Sequence, residues 1–214
     1  MNKKKPVVLS SAYLPPIAWF ALMEQHEVWL EVHETYPKQT FRNRAEIYSE
    51  KGRMALSIPV NRPMGNRTPI GEVQIFNKEK WYLRHWRAIQ SAYEASPYFL
   101  YYKDDLLHFY RGESNNLFEF NHQLINVLSK LMGIESKINL TTTFEKNPAK
   151  ATDLRQIIHP KRKMENVVFP PYIQVFTDRH GFIPNLSILD LLFNMGPESK
   201  NYLRKIQFPT DMLL

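Results

Sequence analysis

Apolar and polar positions alternate in a readable order from the start of the chain. Residues 7–12, "VVLSSA", form a short apolar run that predicts a buried strand, and "YLPP" after it predicts a turn. "IAWFALMEQHE" then has helical length and propensity, with Pro16 suited to the first turn. Residues 28–33, "VWLEVH", return to a strand, so the first 33 residues predict a β-α-β unit. From Phe41 the period becomes two: Phe41, Asn43, Ala45 and Ile47 fall on one face of a strand, and Arg42, Arg44 and Glu46 on the other. Two arginines on one face call for counter-charges. Lys51-Gly52 reads as a turn and "MALSIPV" as the returning strand of a hairpin. "NRPMGNRTPIG" is a Pro/Gly loop, followed by a short strand, "EVQIF".

Beyond Asn77 the period becomes helical. Tyr82, Trp86, Ile89 and Tyr93 recur at spacings of four, three and four, an aromatic stripe on a helix that Pro97 ends. "YFLYYKDDLLHFYRG" predicts a second helix closed by Gly112; Leu117, Phe120, Leu124, Val127 and Leu131 mark a third, closed by Gly133. "KINLTTTF" reads as a strand, and the basic loop after it as carrying a short helix near Thr152 to Ile158. Ser187 and Asp190 before "LLFNMG" fit a capping box, with Gly196 closing that helix and Pro197 opening another. The expected fold is α/β: an N-terminal β-α-β unit and hairpin forming a mixed sheet, then a helical middle and C-terminal helices. One domain over residues 1–214 is expected, with subdomains at 7–77 (α/β) and 78–205 (mainly helical).

Composition narrows the function. The chain has no cysteine, which excludes disulfides, thiolate zinc sites and cysteine nucleophiles. No apolar run approaches the ~20 residues of a membrane span. The basic, apolar start imitates a secretory signal, but Ser10-Ser11 and Pro15-Pro16 interrupt it and no small-x-small cleavage site follows. The net charge of +7 suggests an anionic partner: phosphate, nucleotide, nucleic acid or anionic lipid. Part of the excess is Lys3-Lys4-Lys5, and part is the stretch from Lys146 to Lys163, with Lys150, Arg155, Lys161 and Arg162, whose plainest reading is a solvated surface.

The order of "YLPPIAWF", "HETYPKQTFRNR", "SIPV", "WYLRHWRAIQSAYEASPYFLYY" and "PYIQVF…FIPNLSILDLLFNMGPES" closely resembles the bacterial WbqC-like family, from about Val7 to Tyr202. The resemblance implies a cytoplasmic protein. It also implies a link to surface polysaccharides of the O-antigen type, since many relatives lie in such gene clusters. Activated sugars, carried on nucleotide or lipid diphosphates, would match a basic pocket.

The candidate chemistry gathers in "VHETYPKQTFRNRAEI", residues 32–47. Arg presents a fixed fork to phosphate or carboxylate and Lys a mobile point charge, so Lys38, Arg42 and Arg44, with Asn43 between them, are expected to bind the substrate. The competing reading pairs Arg42 and Arg44 with Glu46, Glu34 or another strand on an exposed sheet face. His33 and Glu34 are adjacent and would point apart in a continuous strand, so a dyad needs a bend, which Tyr36-Pro37 can supply. A histidine, with its reference pKa of ~6.5, suits proton transfer, and His85 is a second candidate beside Arg84, which could meet an anion. His85 also has a structural reading as a satisfied helix-edge residue. Tyr13 precedes a helix N-terminus, where free amides favour an anion.

No Gly-rich phosphate loop, Rossmann fingerprint, HExxH or G-x-S-x-G occurs, so no cofactor is assigned and no metal is expected. Asp190 reads as a cap in preference to an active carboxylate. Taken with these residues, the resemblance to the WbqC-like family implies a transferase acting on an activated or amino sugar. Lys38, Arg42, Arg44 and Tyr13 would converge on a nucleotide sugar or similar anion while His33 or His85 moves a proton. The alternative is a noncatalytic basic module for nucleic acid or a protein partner, although no nucleic-acid motif is present. A third reading makes Tyr101 and Tyr102 a partner surface, against their plainer reading as core or groove-lining residues.

Overall fold

The computed structural model describes residues 5–135, 138–162 and 164–213. Lys3, Lys4 and Lys163 of the basic stretches, and Lys137 at the head of the predicted "KINLTTTF" strand, lie outside the described residues. The expected β-α-β unit is present. β1 (Val7–Ser10) leads into α1 (Ile17–Gln25) and back to β2 (Val28–Glu31), parallel to β1 with Val8 opposite Trp29. Every α1 residue from Ile17 to Met23 is buried, as expected of a helix apolar all round. Its first turn is fastened from far along the chain: Asn185 Oδ1 accepts from the Ala18 amide at 2.9 Å and the Leu186 carbonyl from the Ile17 amide at 2.9 Å.

The hairpin is β3 (Arg44–Ser49) with β4 (Gly52–Ser57), a separate two-stranded sheet; its first strand begins at Arg44 and the chain from Phe41 approaches it in a turn. β5 (Val60–Asn61) and β6 (Gln74–Ile75) form a second small antiparallel pair. The helical middle follows as α2 (Trp81–Tyr93), α3 (Phe99–Leu107) and α4 (Leu117–Leu131). The buried face of α2 is Trp81, His85, Ile89, Ala92 and Tyr93, whereas Tyr82 and Trp86 are half-buried. The core stripe is therefore rotated from the aromatic one read in the sequence, and it includes His85.

Past α4 the chain returns to the sheet. β7 (Ile138–Leu140) pairs with β2, and β8 (Thr152–Asp153) pairs with β1, both parallel. The short helix expected near Thr152 is thus corrected to a strand that enters a turn. The Thr152 amide donates to the Pro6 carbonyl at 2.8 Å and the Leu154 amide to Val8 at 3.0 Å. Two residues carry no periodicity, and only the neighbouring strand makes them β. The sheet order is β7-β2-β1-β8, so the chain runs one way from β1 and returns on its other side. That divergence is a topological switch point, where open parallel sheets hold ligands beyond their carboxyl ends.

A four-residue helix, α5 (Thr177–His180), precedes α6 (Ile188–Met195) and α7 (Ser199–Lys205). Ser187 caps α6, its Oγ accepting from the Leu189 amide at 3.3 Å. The Asp190 half of the expected capping box is not made. The Ser187 amide donates to the Glu46 carbonyl at 2.7 Å, and the Asp190 carboxylate turns inward, its Oδ2 accepting from Tyr172 at 2.5 Å and Gln174 at 2.7 Å. Asp190 thereby fastens "PYIQ" to "SILD", which are separate parts of the C-terminal pattern.

Candidate anion-binding site

Two ion-paired arginines stand at the carboxyl edge of the sheet. Residues 33–34 bend after β2, turning Glu34 inward. Its carboxylate accepts from Arg42 Nε at 2.8 Å and Nη2 at 2.5 Å, while Nη2 also donates to Ser10 Oγ, at the end of β1, at 2.6 Å. Asn121 of α4 holds this corner by donating to the Arg42 carbonyl at 2.7 Å and to Ser11 Oγ at 3.1 Å. Arg155, just past β8, donates to Glu31 at 2.9 Å and to both oxygens of Asp153. Its Nη2 also reaches the carbonyls of Glu145 and Lys146, and its guanidinium lies over the Phe144 ring at 4.9 Å. Arg42, Glu34, Arg155 and Glu31 are all buried. Burial alone would raise the Asp153 pKa, but the Arg155 hydrogen bonds and charge bring it below the ordinary value. Buried ion pairs carry a large desolvation cost and are weak evidence of stability for its own sake. Here they surround a water-sized gap of about 10 Å³ lined by Ser10, Ser11, Arg42 and Arg155.

Phe41 and Ile158 are shared between that gap and a cleft of about 540 Å³. Apolar walls come from Phe41, Ile158, Met164, Val167 and Phe169, and the charges are Arg53, Lys161 and Arg162 against Glu46, with His159 beside them. Glu46 is already engaged, accepting from Arg53 at 2.6 Å and Arg44 at 3.2 Å. Lys161 and Arg162 are exposed and make no ion pair among the described residues. His159 Nδ1 accepts from the Lys161 amide at 3.1 Å, so the neutral ring carries its proton on Nε2. Desolvation first, then the charges of Arg42, Lys161 and Arg162, lower the His159 pKa. A cleft of this size and positive balance is suited to an anion with an apolar part.

The residues anticipated from sequence are distributed over several surroundings. Arg42 lines the gap, and Arg44 reaches the cleft wall through Glu46. Lys38 is exposed, and Asn43 ties the hairpin by donating to the Ile58 carbonyl at 2.8 Å. His33 faces outward, its Nε2 within 3.0 Å of the Thr141 carbonyl, while Glu34 turns to Arg42; the two have different partners. Tyr13 is fully buried, its hydroxyl 2.9 Å from His85 Nδ1 and 3.1 Å from the Tyr110 hydroxyl. Burial pushes the His85 pKa down to about 4, against the opposing Ser57 carbonyl hydrogen bond. Arg84 is exposed and pairs with Glu79 at 3.1 Å. Tyr101 is exposed and Tyr102 half-buried on α3. Sequence reasoning did not single out His159, Arg53 or Phe41 for the site. The signal for His159, Lys161 and Arg162 is their place in one basic run after a strand, but the two residues of β8 that bring the run to the sheet carry no strand period of their own.

Fold and site together define an α/β protein with a parallel sheet and a basic cleft at its switch point. Residues 10–168 match the profile of the WbqC-like protein family, and the chain belongs to that family. The match spans Arg42, Arg155, His159, Lys161 and Arg162. The chain is also similar to the uncharacterized protein Rv1507c of Mycobacterium tuberculosis, 28% identical over 227 aligned residues that cover 94% of this chain and 98% of that protein. No solved structure matches the chain significantly. Among the described residues no helix is long and apolar enough to cross a membrane.

Proposed function

We propose that this chain is a cytoplasmic enzyme of bacterial surface-polysaccharide biosynthesis, a transferase whose substrate is a nucleotide-activated sugar bound in the basic cleft. The observation that carries the reading is the pair of unengaged cations, Lys161 and Arg162, beside His159 in a cleft whose carboxylate is already neutralised. Lys161 and Arg162 hold the diphosphate, and the apolar wall of Phe41, Ile158 and Phe169 receives the base. Proton transfer falls to His159 rather than to His33 or His85. His159 Nδ1 is held by a backbone amide and the ring lines the cleft, whereas His85 is enclosed in the core. The family's link to polysaccharide gene clusters supports a sugar as the group carried.

Native mass spectrometry with nucleotide sugars, acyl donors and plain nucleotides tests this, using the wild type and a Lys161→Ala/Arg162→Ala double variant. One nucleotide class binds selectively, and losing two charge-assisted contacts weakens it about 100-fold. Absence of binding, or equal binding by a folded double variant, rules the reading out. Salt-sensitive binding of oligonucleotides alone would put the basic-module reading in its place.

A further inference from the structure

Parallel sheets are normally covered on both faces. Here Val7, Leu9, Val28 and Leu30 join the core with α1, and the alternate residues face the other way. Val8, Trp29 and Asn139 are register partners across β1, β2 and β7, so they lie side by side on that second face. They floor a cavity of about 220 Å³, walled by Thr141 to Thr143, Glu145 and Pro148. The floor is held in position: Glu27 Oε1 accepts from Trp29 Nε1 at 3.2 Å and from Asn139 Nδ2 at 3.0 Å. This orients the indole and leaves Asn139 Oδ1 as an acceptor. The wall is held too, because Arg155 binds the Glu145 and Lys146 carbonyls.

The charge balance differs from that of the basic cleft. Arg155 is spent on Glu31 and Asp153, while Glu145 makes no ion pair among the described residues, so this cavity repels anions. An oriented indole, an amide oxygen and the hydroxyls of Thr142 and Thr143 are the groups that recognise a neutral ring with an apolar face and a hydroxyl rim. We infer that this cavity is a sugar-ring subsite. It rests on the sugar-handling activity proposed above, and the ring is either the glycosyl part of the donor or a separate acceptor.

The test is ¹⁹F NMR of protein labelled with 5-fluorotryptophan, the Trp29 signal being assigned by Trp29→Phe. Galactose and N-acetylglucosamine shift that signal saturably, with a Kd on the order of 1 mM. Asn139→Ala, at an exposed edge position, weakens them roughly tenfold. UDP alone leaves the signal in place. UDP-N-acetylglucosamine acting at lower concentration than the free sugar assigns the ring to the donor, and equal or weaker action assigns it to an acceptor. A Trp29 signal unmoved by sugars at tens of millimolar, or moved as readily by galacturonate, overturns the inference. UDP binding that depends on Lys161 and Arg162 beside a silent Trp29 overturns this inference alone. A responsive Trp29 without nucleotide binding overturns the anion-site reading alone.

Discussion

Replacing Asp190 with Asn should remove a pH dependence of stability that the buried carboxylate imposes. Asp190 is fully buried on α6, and desolvation raises its pKa from 3.8 to about 6 despite the hydrogen bonds from Tyr172 and Gln174 and the opposing influence of the Tyr93 hydroxyl. The folded state therefore holds this proton more tightly than the unfolded chain does. The stability linked to the bound proton is fully present below pH ~4 and is lost as pH rises through about 6. The shift of roughly two units corresponds to ~3 kcal/mol. An Asn carries no charge, its Oδ1 can still accept from Tyr172 and Gln174, and its amide can donate to the Tyr93 hydroxyl, which already accepts from the Tyr48 amide at 3.0 Å. Urea unfolding of both proteins at several pH values between 4 and 7.5 gives the comparison. The stability difference, Asp190→Asn variant minus wild type, should grow by ~3 kcal/mol across that interval, with the variant gaining as pH rises. Parallel curves would refute the assignment of a raised pKa to this carboxylate. A variant that is less stable than wild type at pH 7.5 by several kcal/mol would refute the claim that the buried charge is what costs stability at this site.

Glu34→Ala leaves the buried Arg42 guanidinium without its bidentate partner and should cost ~3–5 kcal/mol in urea unfolding. The Glu34→Leu/Arg42→Met pair should recover most of that while losing any ligand held at the gap. His85, with its pKa lowered to about 4, should show no imidazole titration between pH 5 and 8 by NMR. Its contribution to stability is present above pH ~6.5 and is lost as pH falls through about 4. Gly196→Ala places a Cβ on a residue with φ +52°, 2.5 Å from the Tyr98 ring, and should destabilise by ~2 kcal/mol or more, seen as a lowered Tm.

Local pattern alone determined the strand-helix-strand opening, the 44–57 hairpin and the three middle helices, because hydrophobic period, proline and glycine act within a few residues. The basic run after residue 146 and the arginine-rich stretch at 32–47 were legible as charge, as was membership of a family. What each charge does was decided by tertiary structure. Glu34 and Arg42 became a buried pair only because the chain bends after β2 and Asn121 of α4 holds the Arg42 carbonyl. His85 entered the core because the buried face of α2 is set by what packs on it, not by where its aromatic residues recur. Asp190 left its cap because the Ser187 amide already donates to Glu46. β8 exists only as a partner of β1, and with it came the switch point that carries Arg155 and His159 to the sheet edge. Periodicity records which side of an element is apolar; pairings between residues more than a hundred positions apart leave no period, and those pairings built the cleft.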